Sequence, residues 1–216
     1  MVLCCLLPQK YAQANNTCVA LTFDDGPTAA TEKLLDGLAE RNIRATFFLC
    51  CYRIAQYPET VRRMAQEGHE ISIHGCSHDY FTQMSQEQLI GEISCTRDAI
   101  FDLTGVSPSL LRPPGGLYNE CVRRTAEELG LAIVLWSVDP EDWNPRRRGK
   151  AANHVVQRAK HGDIILMHDL NKNNVSVALE TADRLAEKGF SFRTVSALAE
   201  GCGLSLVPGK IYRKFS

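Results

Sequence analysis

The chain has 216 residues, of which 23% are charged and 44% are hydrophobic, and its formal net charge is -1. This length suits one domain with a sizeable core. A chain with no excess of basic residues is not expected to bind nucleic acid or an anionic membrane. We also predict no protein partner. Every apolar run is shorter than the roughly 18 residues that a membrane-spanning helix needs, so we predict no membrane span.

The N-terminal segment has an unusual composition. Residues 2–7 form a short apolar stretch with no preceding Lys or Arg, and residues 12–14 read Ala-Gln-Ala, which resembles a signal cleavage site. Residues 1–17 are therefore an N-terminal extension that is either the remnant of a signal peptide or a frayed terminus. The nine cysteines include no C-x-x-C pair. A disulfide between Cys18 and Cys202 would staple the two ends of a domain in an oxidising compartment.

Short hydrophobic runs alternate with stretches of helical periodicity from residue 19 onward. The predicted strands are 19–23, 45–49, 70–73, 110–112, 132–138, 163–167 and 191–194, and the predicted helices are 32–41, 58–67, 86–103, 119–129, 151–160 and 175–188. Strands that alternate with helices predict a parallel sheet in an α/β fold. No glycine-rich phosphate-binding motif opens a helix, which favours a barrel of βα units over an open doubly wound sheet.

Polar residues follow most of the predicted strands, where the loops of a parallel barrel carry functional groups. Asp24 and Asp25 end the first strand, and adjacent carboxylates there point in different directions, although an Asp-Asp-Gly turn is the simpler interpretation. His74 and His78 follow the third strand, and their spacing lets two imidazoles bind one cation if the segment forms a helical turn. Together with Asp25 they predict a catalytic metal centre, and such a ligand set accepts several divalent ions.

A second group of residues is suited to proton transfer. His168 ends the sixth strand and is expected to act as a general acid. Asp139, at the end of the neighbouring strand, is expected to accept a hydrogen bond from the other ring nitrogen. Arg112 is expected to hold Asp24 ionised as a base, or else to form a surface ion pair.

Two further residues are candidates for contact with a substrate. Gly115 lets a ligand approach the backbone closely and offers an N–H to an oxyanion. Trp143 either packs at the top of the barrel or stacks on the face of a sugar.

The motifs resemble those of one family, the polysaccharide deacetylases with a NodB-type domain, carbohydrate esterase family 4. They occur in the same order, as T-F-D-D-G-P at 22–27, H-G-C-S-H at 74–78, R-P-P at 112–114, D-P-E-D-W at 139–143 and I-L-M-H-D at 165–169. The resemblance implies a distorted (β/α)7-8 barrel as a single domain over residues 18–205, followed by a C-terminal tail at 206–216. It also implies metal-dependent hydrolysis of N-acetyl groups on peptidoglycan or chitin-like glycans, with release of acetate.

Carried over by position, the resemblance makes Asp24 the catalytic base, which Arg112 orients, and His168 the general acid, which Asp139 tunes. Its metal ligands are Asp25, His74 and His78, with zinc as the default ion and cobalt, nickel or manganese as alternatives. Its substrate contacts are Gly115, through its N–H, Trp143 and Leu166.

The sequence departs from the family pattern at two positions. Gly75 stands where Ser or Thr is usual, and Gly115 stands where an aromatic residue is usual. We expect Tyr118 to replace that missing aromatic wall. Neither change removes a ligand or a catalytic group, so activity is expected to survive.

The resemblance implies an enzyme that is secreted or associated with the cell envelope, with a glycan as its partner. Two other functions remain open on the residues alone. One is an inactive carbohydrate-binding module on the same fold. The other is a related metal-dependent amidase that acts on a small C–N substrate.

Overall fold

We describe residues 17–215 of a computed structural model. All but the last residue of the predicted N-terminal extension at 1–17 lies outside the described residues. The strands are β1 (Cys18–Asp24), β2 (Thr46–Cys50), β3 (Glu70–Gly75), β4 (Leu110–Leu111), β5 (Ala132–Val134), β6 (Ile164–His168), β7 (Ser191–Phe192) and β8 (Ile211–Tyr212). The helices are α1 (Thr31–Glu40), α2 (Cys51–Ile54), α3 (Pro58–Gln66), α4 (Gln86–Thr104), α5 (Glu120–Glu128), α6 (Ala151–Arg158), α7 (Lys172–Glu187) and α8 (Val195–Gly201).

The sheet is parallel and curls into a distorted barrel, which confirms the predicted fold class. Its strand order is β6-β1-β2-β3-β4-β5-β8, and β7 pairs with β1. Beyond β5 the chain turns back toward β6, where Ser137 and Leu166 donate backbone hydrogen bonds across the remaining gap. Among residues 17–215, no helix is both long enough and apolar enough to cross a lipid bilayer.

Side chains alternate between two apolar layers along β1. Val19, Leu21 and Phe23 pack in the large cluster that includes the buried face of α1. Ala20 belongs to a smaller cluster inside the barrel, together with α8 residues such as Leu198. Because successive side chains point to opposite faces of a strand, the last residue of β1 points into the barrel at the carboxyl end of the sheet.

The helix ends follow local capping chemistry. Helix α4 begins at a capping box in which Ser85 and Gln88 satisfy each other's backbone N–H groups, and it ends at Gly105, whose φ of 71° suits glycine. Asn171 and Thr194 cap α7 and α8 through their side-chain oxygens. Helix α8 is absent from the sequence prediction, since its seven residues are too few for a periodic pattern to emerge.

The segment at 206–216, expected from sequence to be a tail, takes part in the sheet as far as it is described. Strand β8 pairs with β5, and Phe215 is fully buried in the inner cluster. Phe215 donates its N–H to the carbonyl of Gly162, where a Cβ would lie 1.4 Å from the Phe215 oxygen. The packing of Phe215 therefore requires glycine at position 162.

Cys18 and Cys202 do not form the disulfide considered from sequence. The ring of His161 lies between them, since its Nδ1 accepts the Cys18 N–H at 3.0 Å and its Nε2 lies 3.7 Å from the Cys202 sulfur. This contact joins β1 to the end of α8 without a covalent bond.

Phe215→Ala tests whether the C-terminal segment belongs to the domain. Removing a fully buried aromatic ring should lower the free energy of unfolding by about 3–5 kcal/mol, measured by urea denaturation. Val207→Ala is the control, because Val207 is half exposed in the same segment and should change stability by less than about 0.5 kcal/mol. If Phe215→Ala lowered the free energy of unfolding as little as Val207→Ala, the segment would not contribute to the core.

Candidate active site

Residues from separate strand ends line one cavity of about 440 Å³ at the carboxyl end of the sheet. Such a volume is typical of a small-molecule site. The lining residues are Asp24, Asp25, His74, His78, Tyr80, Gly115, Trp136, Asp139, Trp143, Leu166 and His168. The structure thus brings together most of the residues predicted from the strand ends.

The two adjacent aspartates point in different directions, as expected. Asp24 is buried, and its Oδ1 accepts a hydrogen bond of 2.7 Å from Arg112. Asp25 has a φ of 69°, which gives its side chain a different direction from that of Asp24. Asp25 Oδ1 instead lies 3.2 Å from His74 Nε2 and 3.0 Å from His78 Nε2.

Arg112 is completely buried directly beneath the cavity. Its Nη1 donates to Asp24 and to Thr22 Oγ1, and its Nε and Nη2 donate to the carbonyls of Val134 and Leu135. Burial lowers the pKa of this guanidinium, and the charge of Asp24 partly offsets that effect. The alternative of a surface ion pair is therefore excluded, because the pair lies inside the barrel.

The donor atoms of Asp25, His74 and His78 fit a metal ion. His74 Nδ1 lies 2.7 Å from the carbonyl oxygen of Arg112, which can only accept, so that nitrogen carries the proton. In the neutral ring, the lone pair of His74 Nε2 faces Asp25 Oδ1, a buried oxygen without a hydrogen-bond partner. Two lone pairs at this separation repel unless a proton or a metal ion lies between them. One carboxylate oxygen and two imidazole nitrogens form a donor set that zinc accepts with positions left open.

The electrostatics of the three groups agree with this interpretation. Burial alone would raise the pKa of Asp25, but the adjacent imidazoles of His74 and His78 outweigh it and hold the pKa well below its usual range. Asp25 in turn raises the pKa of His78 despite partial burial of the ring. A negative charge is therefore favoured where a cation would be bound.

The two histidines do not converge through a helical turn, contrary to the expectation from their spacing. His74 lies on β3, whereas His78 lies in the following loop with a φ of 70°. Their ring centroids are nevertheless 5.2 Å apart. The end of β3 and a tight turn bring the two imidazoles together, whereas the four-residue spacing predicts a helical turn.

His168 has a carboxylate partner, but the structure places Asp142 there and not Asp139. Asp142 Oδ1 accepts from His168 Nδ1 at 2.7 Å, and its Oδ2 accepts the His168 backbone N–H at 3.0 Å. Asn174 donates to the same carboxylate from α7. Asp139 instead accepts the N–H of Glu141 and lines the cavity. The D-x-x-D motif contains two aspartates that could pair with His168. The turn at Glu141, which has a φ of 54°, places Asp142 and not Asp139 beside the imidazole.

The environment of His168 favours its protonated form. Burial lowers the pKa, but the hydrogen bond and charge of Asp142, with further contributions from Asp24 and Asp25, raise it to about 9. His168 Nε2 faces the metal-ligand cluster, 4.0 Å from Asp25 Oδ2. An imidazolium that points into the cavity can donate a proton at neutral pH.

The aromatic wall of the cavity comes from Tyr80 and not from Tyr118. A Cβ added at Gly115 would lie 3.1 Å from the ring of Tyr80, so the tyrosine occupies the space beside this glycine. Trp136 and the exposed Trp143 supply further aromatic surface. Tyr118 is partly exposed and is not among the described residues that line the cavity. An aromatic residue two positions after His78 was the available signal in the sequence.

Gly75 has a packing reason in this chain. Its φ is 112°, and an added Cβ would lie 2.9 Å from two ring carbons of Phe81, which is fully buried. The φ value lies in the region that disfavours every residue with a side chain. The departure from Ser or Thr at this position therefore accompanies a bulky ring beneath the loop that carries His78.

Asp169 supports the loop that follows the aspartate pair. It is fully buried, its Oδ2 accepts from Thr31, and its backbone carbonyl accepts from Thr28 at 2.6 Å. A Cβ at Gly26 would lie 2.6 Å from the Asp169 carboxylate. Burial raises the pKa of Asp169 to about 6. Its role is structural, because it holds the backbone next to Asp25 rather than entering the cavity.

Comparison with known proteins identifies relatives of this chain. A family model described as polysaccharide deacetylase matches residues 12–134. The chain is 38% identical over 207 residues to the peptidoglycan-N-acetylglucosamine deacetylase PgdA of Listeria monocytogenes, and this match covers 95% of this chain and 43% of that protein. It is also 38% identical over 190 residues to a peptidoglycan-N-acetylglucosamine deacetylase of Bacillus cereus, covering 85% of this chain and 89% of that protein.

A solved structure shows the same fold. The family 4 carbohydrate esterase from Streptomyces lividans, in complex with acetate, superposes with a TM-score of 0.81 at 36% identity and covers 90% of this chain and 100% of that one. The chain spans less than half the length of the Listeria protein, at 43%.

Asp142→Asn should lower the pKa of His168 from about 9 to near or below the ordinary 6.5, because burial then outweighs the remaining charges of Asp24 and Asp25. The pKa can be measured on metal-free protein by following the imidazole resonances against pH by NMR. Asp139→Asn is the matched control and should leave the pKa of His168 unchanged. A shift with the control alone would assign the partner role to Asp139.

Gly75→Ala should lower the free energy of unfolding by about 1–3 kcal/mol, since it combines a strained φ with overpacking against Phe81. Gly91→Ala is the control, because Gly91 lies in α4 with no atom within 4 Å of an added Cβ. It should be neutral or stabilise by up to about 1 kcal/mol. Both values can be measured by urea denaturation, and a neutral Gly75→Ala would contradict the packing argument.

Proposed function

Because the chain belongs to the polysaccharide deacetylase family, we propose that it is an N-deacetylase that hydrolyses the acetamide group of N-acetylated glycans and releases acetate. One observation carries the proposal: a buried aspartate paired with an arginine, a cluster of one carboxylate and two imidazoles, and an imidazole whose protonated form is favoured all line the same cavity. A base, a bound cation and a proton donor are together sufficient for amide hydrolysis by water without a nucleophilic side chain.

Asp25, His74 and His78 would hold a divalent ion, with zinc as our first choice. When bound, the ion would polarise the acetamide carbonyl and lower the pKa of a water molecule. The donor set suits cobalt, nickel and manganese as well, so the native ion depends on availability. His74 is fixed for this role because its other ring nitrogen donates to the Arg112 carbonyl.

Asp24 is the proposed general base. Its Oδ1 is held by Arg112, whereas its Oδ2 lies 3.9 Å from His74 Nε2, on the side of the metal ligands. This second oxygen is placed to take a proton from a water that attacks the carbonyl carbon. Arg112 keeps the carboxylate in this orientation and compensates its charge, so it acts as a positioning residue.

His168 is the proposed general acid. Its Nδ1 is engaged by Asp142, which leaves Nε2–H to face the cavity. As the C–N bond breaks, this proton passes to the departing amine, so the products are acetate and a free amino sugar. The N–H of Gly115 is proposed to donate to the carbonyl oxygen as negative charge develops there.

The glycan is proposed to lie across an open, partly aromatic surface. Leu166 lies at the floor of the cavity and suits the methyl of an acetyl group, while Trp143 and Tyr80 form exposed flanks that suit sugar faces. Peptidoglycan is our first choice of substrate, since the relatives at 38% identity are named for it, and chitin-like oligomers are the second. Such a substrate places the activity outside the cytoplasm, at the cell envelope.

Acetate release tests the proposed function directly. Purified protein should release acetate from peptidoglycan or from N-acetylglucosamine oligomers, lose the activity after chelation and recover it when zinc or cobalt is added back. Asp24→Asn should lower kcat by about 10²–10⁴-fold, the contribution expected of a general base. Asp102→Asn on the exposed side of α4 is the matched control and should retain the wild-type rate.

Two outcomes would contradict the proposal. If metal-loaded protein bound glycans without releasing acetate, and Asp24→Asn bound them equally well, the chain would be a binding module. If it turned over small cyclic amides and no glycan, it would be an amidase of the same fold.

A further inference from the structure

Three cysteine thiols from separate segments meet beside the active site. Cys51 begins α2, Cys76 lies in the loop after β3, and Cys95 lies in the middle of α4. The sulfur of Cys95 is 3.3 Å from that of Cys76 and 3.3 Å from that of Cys51, and all three lie within 4.8 Å of one another. Cys51 and Cys76 are partly buried, whereas Cys95 is exposed.

The spacing of the sulfurs fits a shared cation. Three sulfurs bound to one zinc ion at about 2.3 Å in tetrahedral geometry lie about 3.8 Å from each other. Two of the observed separations are shorter than this value by about 0.5 Å and the third is at most 4.8 Å, so small side-chain rotations bring all three sulfurs to a common centre. The exposed side at Cys95 leaves a fourth position for water.

The backbone around the thiols is held in place by a carboxylate. Glu92 Oε2 accepts the backbone N–H groups of Cys76 at 2.6 Å and Ser77 at 2.9 Å. Glu92 lies one turn before Cys95 on α4, so this contact fixes the loop against the helix that carries the third thiol. It also places negative charge near the sulfurs, which favours a cation there.

We propose that Cys51, Cys76 and Cys95 bind one thiophilic divalent cation, such as zinc, at a second site distinct from the one formed by Asp25 and the two histidines. A metal ion at this site would tie the loop at 75–78 to α2 and α4. That loop carries His78, which lies in a strained conformation and is 41% exposed at its side chain. The second ion thus acts as a structural anchor for a ligand of the first.

A disulfide between two of the three thiols is the alternative. It would use only two sulfurs, at about 2.05 Å, and leave the third without a role. Cys95 lies equally far from both partners, so the geometry prefers neither pair. A shared cation uses all three, which is why the observations favour it.

Cobalt titration tests the second site without any substrate. The full chain, reduced and stripped with a chelator under anaerobic conditions, is titrated with Co²⁺ while near-ultraviolet absorption is recorded. Sulfur-to-cobalt charge transfer reports only the thiols, because the other centre has nitrogen and oxygen donors. Wild-type protein should show the band and lose it when Zn²⁺ is added. Cys95→Ser should reduce it at least tenfold, whereas the matched control Cys121→Ser on α5 should retain it.

Alkylation of the wild-type protein gives a second readout that needs no variant. Zn²⁺ should slow modification of Cys51, Cys76 and Cys95 by iodoacetamide at least tenfold, measured by peptide mass spectrometry, and leave Cys121 unaffected. Absence of the charge-transfer band in wild-type protein, or its persistence in Cys95→Ser, would overturn the proposal. So would a stable disulfide within the cluster that persists in reductant and excludes the metal. None of these results depends on glycan deacetylation.

Discussion

The ion pair between Arg112 and Asp24 is the contact on which the rest of the site depends. An unpaired charge inside a barrel would be strongly destabilising, so the guanidinium has to find acceptors for its donors there. The guanidinium donates to Asp24, Thr22 and two carbonyls of the β5 segment. Its Cζ lies 4.1 Å from the centroid of the Phe48 ring. The same residue offers its own carbonyl to His74. One side chain and its backbone thereby orient both the proposed base and a metal ligand.

The strand ends could be read from sequence because they carry local signals. Hydrophobic runs that end in titratable groups predicted Asp24, Asp25, His74 and His168 at one edge of a parallel sheet, and the structure places them in one cavity. The partner of His168 could not be decided in this way. Asp139 and Asp142 lie in one motif, and which of them pairs with His168 depends on the positive φ of Glu141 between them. Hydrophobic periodicity carries no information about such a turn.

Residues that act across long sequence separations were also missed. Strand β8 has only two residues, and it is recognisable as a strand only because it pairs with β5. Tyr80 lies beside Gly115, where the resemblance to the family implies an aromatic residue, and this contact is visible only when the space beside Gly115 is measured. The three thiols are 25 and 19 residues apart in sequence, so neither helical periodicity nor a short motif joins them. Tertiary packing alone creates these contacts.

The pairing of β1 with β6 sets the order in which the site can form. It brings Asp24 level with His168, which follows it by more than 140 residues. Contacts so distant along the chain have a higher loop-closure cost than local contacts, and this slows their formation. When α5 has been synthesised, the chain contains the three proposed metal ligands and Arg112, but it lacks the proposed proton donor and β6, the strand that pairs with β1 on the side opposite β2. A nascent chain can therefore contain the proposed metal ligands before it contains the proposed proton donor, and the proposed hydrolysis becomes possible only after β6 has been synthesised.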